Sequence, residues 1–142
     1  MAIAFTETQQ PDTALLYDLY KSMGLETGGI DNALFSLKAA DGNILAGGAT
    51  LSERYGVAVL DYVAVIPEYR NLNIGRALVE KVLEKAGELN FDEVFFVTKV
   101  EGFFKKLGAV PTDEHKELIS ECIGCRQYMA ECRPVLMKMK VN

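Results

Sequence analysis

The sequence predicts an α/β (α+β) protein: one domain over residues 1–142, with a mixed central sheet and flanking helices. Three observations carry this. Apolar runs at 34–40 and 44–52 are joined through Asp41-Gly42-Asn43, and aspartate–glycine between such runs is a strong hairpin signal. An apolar strand at 60–66 then passes through a short turn straight into an amphipathic helix that begins near Ile74. A β-branched and aromatic run at 93–98 follows that helix, and a strand reached through a helical crossover lies parallel to the one before it.

Taken in order, Ile3 to Glu7 reads as a short first strand. Asp12 follows Pro11 as an N-cap; Leu15, Leu16, Leu19, Tyr20 and Met23 make one apolar helical face, which Gly24 ends. Residues 25–32, with Gly28-Gly29, read as a connection, either plain or lying over a ligand site. After the hairpin, a second turn at Glu53 to Gly56 leads into Val57 to Ile66, so three antiparallel strands precede the helix. Pro67 cannot donate to a sheet ladder, and the strand stops just before it. Ile74, Leu78 and Val82 share one helix face at i, i+4 and i+8, while Glu80, Lys81, Glu84, Lys85 and Glu88 form the wet side. Beyond Glu93 to Thr98, Glu101 to Gly108 reads as a short helix with Gly108 as its C-cap. Ala109 to Pro111 starts another strand, 112–133 is charged and irregular, and Val135 to Val141 alternates into the last strand.

Between the central strand and its helix lies Arg70-Asn71-Leu72-Asn73-Ile74-Gly75. A strand–loop–helix junction leaves the first helical N–H groups unpaired, and they act with the positive end of the helix dipole on one spot, an anion site. Gly75 lets a ligand approach the backbone, and Asn73 tolerates positive φ. Neither a Walker loop nor a dinucleotide fingerprint fits, because the lysine–hydroxyl pair and the G-x-G-x-x-G spacing are absent. The stretch resembles the pyrophosphate loop of the GNAT family of N-acetyltransferases, [QR]-x-x-G-x-[GA]. Arg70 stands first, Asn73 takes the place of the first glycine, and Gly75 stands last. Val65 to Arg70 is a familiar lead-in, and FFKKLGA at 103–109 resembles the family's second signature, F-Y-x-K-L-G-F. The resemblance covers roughly residues 33–111.

The resemblance implies a GNAT-type domain whose two parallel strands splay apart, and acetyl transfer from acetyl-CoA, the co-substrate, to an amine. Backbone groups of Val63, Ala64 and Val65 would pair with the pantetheine. N–H groups from Leu72, Asn73, Ile74, Gly75 and Arg76 would hold the pyrophosphate, with charge added by Arg70. The chemistry needs a group to take the amine proton and a donor for the oxyanion. Asp61 and Glu53, near strand ends, are the candidate bases. In many relatives a tyrosine protonates the departing thiolate, but here that position is Phe104, which lines the cofactor site and cannot donate. Tyr62, Tyr128 or water would then substitute, or the thiolate leaves unassisted. Arg54, Arg126 and Arg133 are candidates for holding a substrate carboxylate. The cysteine-bearing tail before a methionine-containing last strand also resembles the branch that acylates amino acids, glutamate included.

A net charge of −5 leaves no basic stripe for nucleic acid, and no apolar run approaches the ~18 residues of a membrane span. The N-terminus lacks the features of a signal peptide, so a cytoplasmic protein is expected. In that compartment Cys122, Cys125 and Cys132 are thiols or metal ligands rather than disulfides. Cys122-x-x-Cys125 with Cys132 and His115 has the spacing of a zinc site, but a second pair is missing. Packing thiols and no metal are therefore expected, with His115 solvent-exposed in its charged run. The partners expected are a small-molecule amine and, as an option left open, a second copy of the chain in a homodimer.

Overall fold

The computed structural model describes residues 3–8, 12–23, 33–70, 72–98, 100–118 and 135–141. Its elements are β1 (Ile3–Glu7), α1 (Asp12–Ser22), β2 (Ala33–Asp41), β3 (Ile44–Arg54), β4 (Val57–Val65), α2 (Ile74–Glu88), β5 (Glu93–Thr98), α3 (Glu101–Lys106), β6 (Val110–Pro111) and β7 (Val135–Lys140). A single 3-10 turn, Pro67–Tyr69, links β4 to the loop before α2.

Local chemistry closes the antiparallel half of the sheet. Gly42 takes positive φ (58°) between β2 and β3, and Tyr55 and Gly56 both do so (53° and 79°) between β3 and β4. Two successive positive-φ residues match the twist of a tight hairpin, and the expected turns are where the sequence placed them. The described strands form one sheet in the order β1-β2-β3-β4-β5-β7-β6, with β4 and β5 its parallel pair. β7 enters between β5 and β6, which leaves β6 at the edge, where Pro111 can lack a donor without breaking a central ladder.

Helix α2 packs on one face of the sheet. Ile74, Leu78, Val79, Val82 and Ala86 bury there against Leu37, Leu51, Leu60, Phe96 and Met137. Burying an aliphatic side chain of this size stabilises by about 1.5–3 kcal/mol, so this stripe fixes the position of the helix and of its first turn. Gly87 belongs to the same interface: a Cβ there would lie 2.8 Å from Val141 Cγ1. On the opposite face α1 docks through Leu16 and Tyr20 onto Tyr62 and Ala64. The expected apolar face of α1 is narrower than the sequence suggested. Leu15 is 57% exposed, because it lies one residue, about 100° of helix, away from the Leu16–Tyr20 stripe.

Candidate functional site

The parallel pair holds for only a short distance. Ala58 pairs with Val94 and Val59 with Phe95. From there β4 stays with β3 as far as Val65–Gly47, while β5 stays with β7 as far as Thr98–Val135. The two strands therefore part beyond Val59 and Phe95. A β-bulge marks the parting on β4. Leu60 pairs with Leu51 and Tyr62 with Thr50, so Asp61 is the extra residue. A bulge of this kind bends its strand and re-aims the side chains that follow.

The backbone of β4 beyond the bulge is divided between its two sides. Ile66 N–H donates to the Ala46 carbonyl of β3 (2.8 Å). Backbone direction alternates along a strand, so the groups of Ala64 also face β3, and those of Val63 and Val65 face the gap. Arg70 turns back toward that edge and donates from Nε to the Val65 carbonyl (3.1 Å).

The gap ends at the loop into α2. Tyr69 braces the loop by donating its hydroxyl to Asp41 Oδ2 (2.7 Å), and this bond holds the phenol above its ordinary pKa. Asn73 then adopts the left-handed conformation (φ 62°, ψ 17°) and uses no side-chain cap. Asparagine tolerates this geometry, so the departure from glycine at this position is absorbed locally. The first helical bond runs from Ala77 N–H to the Asn73 carbonyl (3.0 Å). The N–H groups of Ile74, Gly75 and Arg76 precede it without helical acceptors, and the first turn carries no acidic residue. The Arg76 side chain pairs with Glu80 (2.8 Å) on the exposed surface, so Arg76 offers its backbone to the site.

A cleft between splayed parallel strands, ending on the bare N-terminus of the following helix, is a site for an extended ligand with an anionic middle. The model of the acetyltransferase (GNAT) family matches residues 3–109. The chain belongs to the GNAT family. An uncharacterised N-acetyltransferase of Chlorobaculum tepidum is 34% identical over 84 residues, covering 57% of this chain and 54% of that protein. The match thus spans about half the length of this relative. Among solved structures, a GNAT-family protein from Desulfovibrio desulfuricans is similar at a TM-score of 0.75 and 19% identity, covering 99% of this chain and all of that one (100%). The N-acetylglutamate synthase of Neisseria gonorrhoeae, solved with coenzyme A and N-acetyl-glutamate, gives a TM-score of 0.75 at 14% identity, over 100% of this chain and 36% of that chain. At these identities the structural likenesses establish the GNAT fold.

The GNAT chain brings some of its expected site residues together and separates others. Asp61 sits at the bulge, its side chain 8% exposed, ion-paired with Arg54 (3.0 Å) and accepting a hydrogen bond from Ser52. Glu53 lies opposite Ala58 on the α2 face, exposed and level with the stretch where β4 and β5 are still paired, so it does not join Asp61. Tyr62 stacks on Tyr20 with ring centroids 4.7 Å apart. The Tyr20 hydroxyl meets Thr50 Oγ1 (2.9 Å), which also meets Ser36 Oγ (2.9 Å), and burial pushes the Tyr20 phenol well above its usual range. Phe104 is 6% exposed in the core beside Phe96. Tyr128, Arg126, Arg133, Cys122, Cys125 and Cys132 lie outside the described residues.

His115 is corrected: it is half-buried, edge-on to Phe95 at 4.8 Å, with Nδ1 3.2 Å from Glu117. Of the charged neighbours that suggested exposure, Glu114 turns to Lys138 and Glu117 to the ring itself, while Phe95 offers an aromatic face on the sheet. A groove of about 980 Å³ runs between α2 and β7 and shares only Arg76 with the anion loop. The splay and the helix turn, not that groove, have the geometry for the ligand. One residue beside the anion loop was not singled out in the sequence. Phe103, 39% exposed, stands beside Gly75. The adjacent aromatic pair at 103–104 was the available signal, since a short helix can bury only one of two neighbours.

Proposed function

We propose that the chain is an acetyl-CoA-dependent N-acetyltransferase acting on a small-molecule amine, an amino acid being the acceptor class favoured by the sequence resemblance. One observation carries the reading: the β4–β5 gap opens directly onto the uncapped first turn of α2. A thioester-bearing arm fits the first, with amides to meet Val63 and Val65, and a pyrophosphate fits the second. The coenzyme A held by the N-acetylglutamate synthase of the same fold supports this assignment of ligand.

In the reaction the amine nitrogen attacks the thioester carbonyl, the carbon–sulfur bond breaks, and the acetyl group ends on nitrogen. The amine must shed a proton, and the carbonyl oxygen gathers charge as it is attacked. A gap-facing N–H of β4, at Val63, serves as the oxyanion donor in this reading. Asp61, the carboxylate at the bulge, takes the amine proton directly or through water. Phe104 cannot protonate sulfur, so coenzyme A leaves as the thiolate or takes its proton from Tyr62 or solvent.

The test is calorimetric titration with acetyl-CoA, then turnover over a panel of amino acids, other small amines and N-terminal peptides, followed as free thiol. Saturable binding with turnover of an amino acid supports the full reading. Turnover confined to peptides removes the small-molecule acceptor. A second reading, a catalytically silent acetyl-CoA-binding module, draws on Phe104, whose buried ring holds no proton to give. Tight binding with no turnover across the panel would select it.

A further inference from the structure

Ser52 and Arg54 alternate with Glu53 along β3, so their side chains leave the face that also carries Thr50 and, through it, Tyr20 of α1. The bulge turns Asp61 of β4 toward the same two residues. Asp61 Oδ1 lies 3.0 Å from Arg54 Nη2, and Oδ2 accepts the hydroxyl of Ser52, so each carboxylate oxygen has a donor from β3. The Arg54 and Asp61 side chains are 15% and 8% exposed. A carboxyl this far out of water keeps its proton near neutral pH unless a cation or a donor stabilises the anion. Buried ion pairs add little net stability, because desolvation offsets the attraction, so the fold alone is a weak reason for this one. Its place is more telling: Asp61 follows directly on Val59 and Leu60, where β4 parts from β5.

We propose that Arg54, seconded by Ser52, is a positioning residue for acetyl transfer: it keeps the buried Asp61 carboxylate ionised and aimed, ready to take the proton of the acceptor amine. The proposal rests on the acetyl-transfer reading above. In that step a proton passes from the ammonium nitrogen to Asp61, or to a water held on it, and the freed lone pair attacks the thioester carbonyl. Asp61 returns the proton to solvent once the product has left. Arg54 touches neither the amine nor the thioester in this role, and it serves Asp61 rather than a carboxylate of the acceptor. The titratable groups that the described elements bring to this part of the face are Arg54 of β3, Tyr17 and Tyr20 of α1, Tyr62 of β4 and, across β5, His115 on Phe95. Burial raises the Tyr20 phenol, and the Asp61 charge adds to it in lesser part, which sets the two side by side. The tyrosines and His115 are common to parent and variant and drop out of their ratio.

The experiment follows kcat/KM for the acceptor at saturating acetyl-CoA from about pH 5 to about pH 9, the acceptor being the amino acid turned over fastest in the panel above. Arg54→Gln removes the cation and should move the acid limb up by about one to three pH units, with activity near the alkaline end within about threefold of the parent. Arg54→Lys keeps a cation and should return the limb most of the way. Ser52→Ala should move it in the same direction by less. Asp61→Asn should lose about a hundredfold or more at every pH. Acetyl-CoA affinity, read by calorimetry, should stay within about twofold in all four. Removing one member of a buried pair strands the other, so each variant is melted first. A loss in Arg54→Gln that is the same at every pH would overturn the proposal, because the pair would then only brace β3 on β4. An unmoved limb in Ser52→Ala does so where Arg54→Gln fails to fold. Full activity of Asp61→Asn would overturn it too, leaving acetyl transfer to another base. A parent that turns over no amine is a different outcome, which strikes the acetyl-transfer reading itself.

Discussion

Gly75→Ala separates what the fold requires at the anion loop from what the ligand requires. A Cβ at this position meets Phe103 Cζ at 3.4 Å and two further atoms at 3.8 Å, which is ordinary van der Waals contact. Gly75 lies within α2, outside the positive-φ positions, so alanine adopts its backbone without strain. Replacing glycine by alanine in a helix gains up to about 0.5–1 kcal/mol, mostly through the unfolded chain. For a domain of this size that raises Tm by roughly 2–5 °C. The methyl group nevertheless stands between the helix N–H groups and the entrance to the gap. It should therefore weaken acetyl-CoA by about tenfold or more, some 1.4 kcal/mol, with no loss of fold. Circular-dichroism melts and calorimetry measure the two quantities on one sample. A variant that melts no lower than the parent and binds acetyl-CoA within twofold of it would refute the placement of the pyrophosphate. Gly75→Glu is the harsher version, adding like charge, and should abolish binding altogether.

Asn73→Val puts a β-branched residue into the left-handed region and should cost about 1–2 kcal/mol and weaken acetyl-CoA, whereas Asn73→Gly should preserve both in melting and binding assays. Thr50→Val removes the hydroxyl shared by Tyr20 and Ser36 and leaves two buried hydroxyls without it, so urea melts should show a loss of about 2–4 kcal/mol. Tyr20→Phe removes one member of that chain and should cost about 1 kcal/mol; equal losses for the two variants would sink the shared-hydroxyl account. Lys138, bonded to Glu114 and Glu93 (3.1 Å), tests the sheet edge by pH. Its bond to Glu114, then that to Glu93, raises the ammonium pKa, and Lys138 in turn holds Glu114 below the carboxylate range. A depressed carboxylate loses its contribution as pH falls through its folded value, and a raised lysine loses its own as pH rises through its folded value. Lys138→Met should therefore lower Tm most between about pH 5 and pH 10 and approach the parent near pH 3. A Tm difference that does not change with pH would refute the pairing as its source.

The legible parts of this molecule are those whose causes are local. Asp41-Gly42 and Tyr55-Gly56 dictate their turns through φ, and Ile74, Leu78 and Val82 declare their helix face by spacing alone. The anion loop was legible for the same reason, down to the left-handed Asn73. The bulge was not. VAVLDYVAV reads as unbroken alternation, and only pairing with β3 shows that Asp61 is an extra residue that leaves Leu60 and Tyr62 on opposite faces of the sheet. The insertion of β7 between β5 and β6 is equally hidden, since order in a sheet is a property of distant segments. Phe103 and Phe104 were indistinguishable by composition, and the helix phase that buries one and presents the other depends on where Thr98 turns the chain. Its Oγ1 accepts the N–H of Val100 (3.0 Å) and so sets that phase.

The bulge and the site follow from one another. Twist accumulates between parallel strands, and a short pair can absorb it by staying together or by parting. Here the extra residue on β4 bends that strand just where pairing with β5 ceases, while β3 and β7 keep each strand's other edge satisfied. The inner edges are left with backbone groups that water or a ligand must meet, at a cost if neither does. Arg70 meets one of them, the carbonyl of Val65, with a side chain that is itself exposed and able to turn away. Opening the sheet thus leaves the inner edge of β4 and the uncapped first turn of α2 next to each other in the chain, with Arg70 reaching from the connecting loop to that edge.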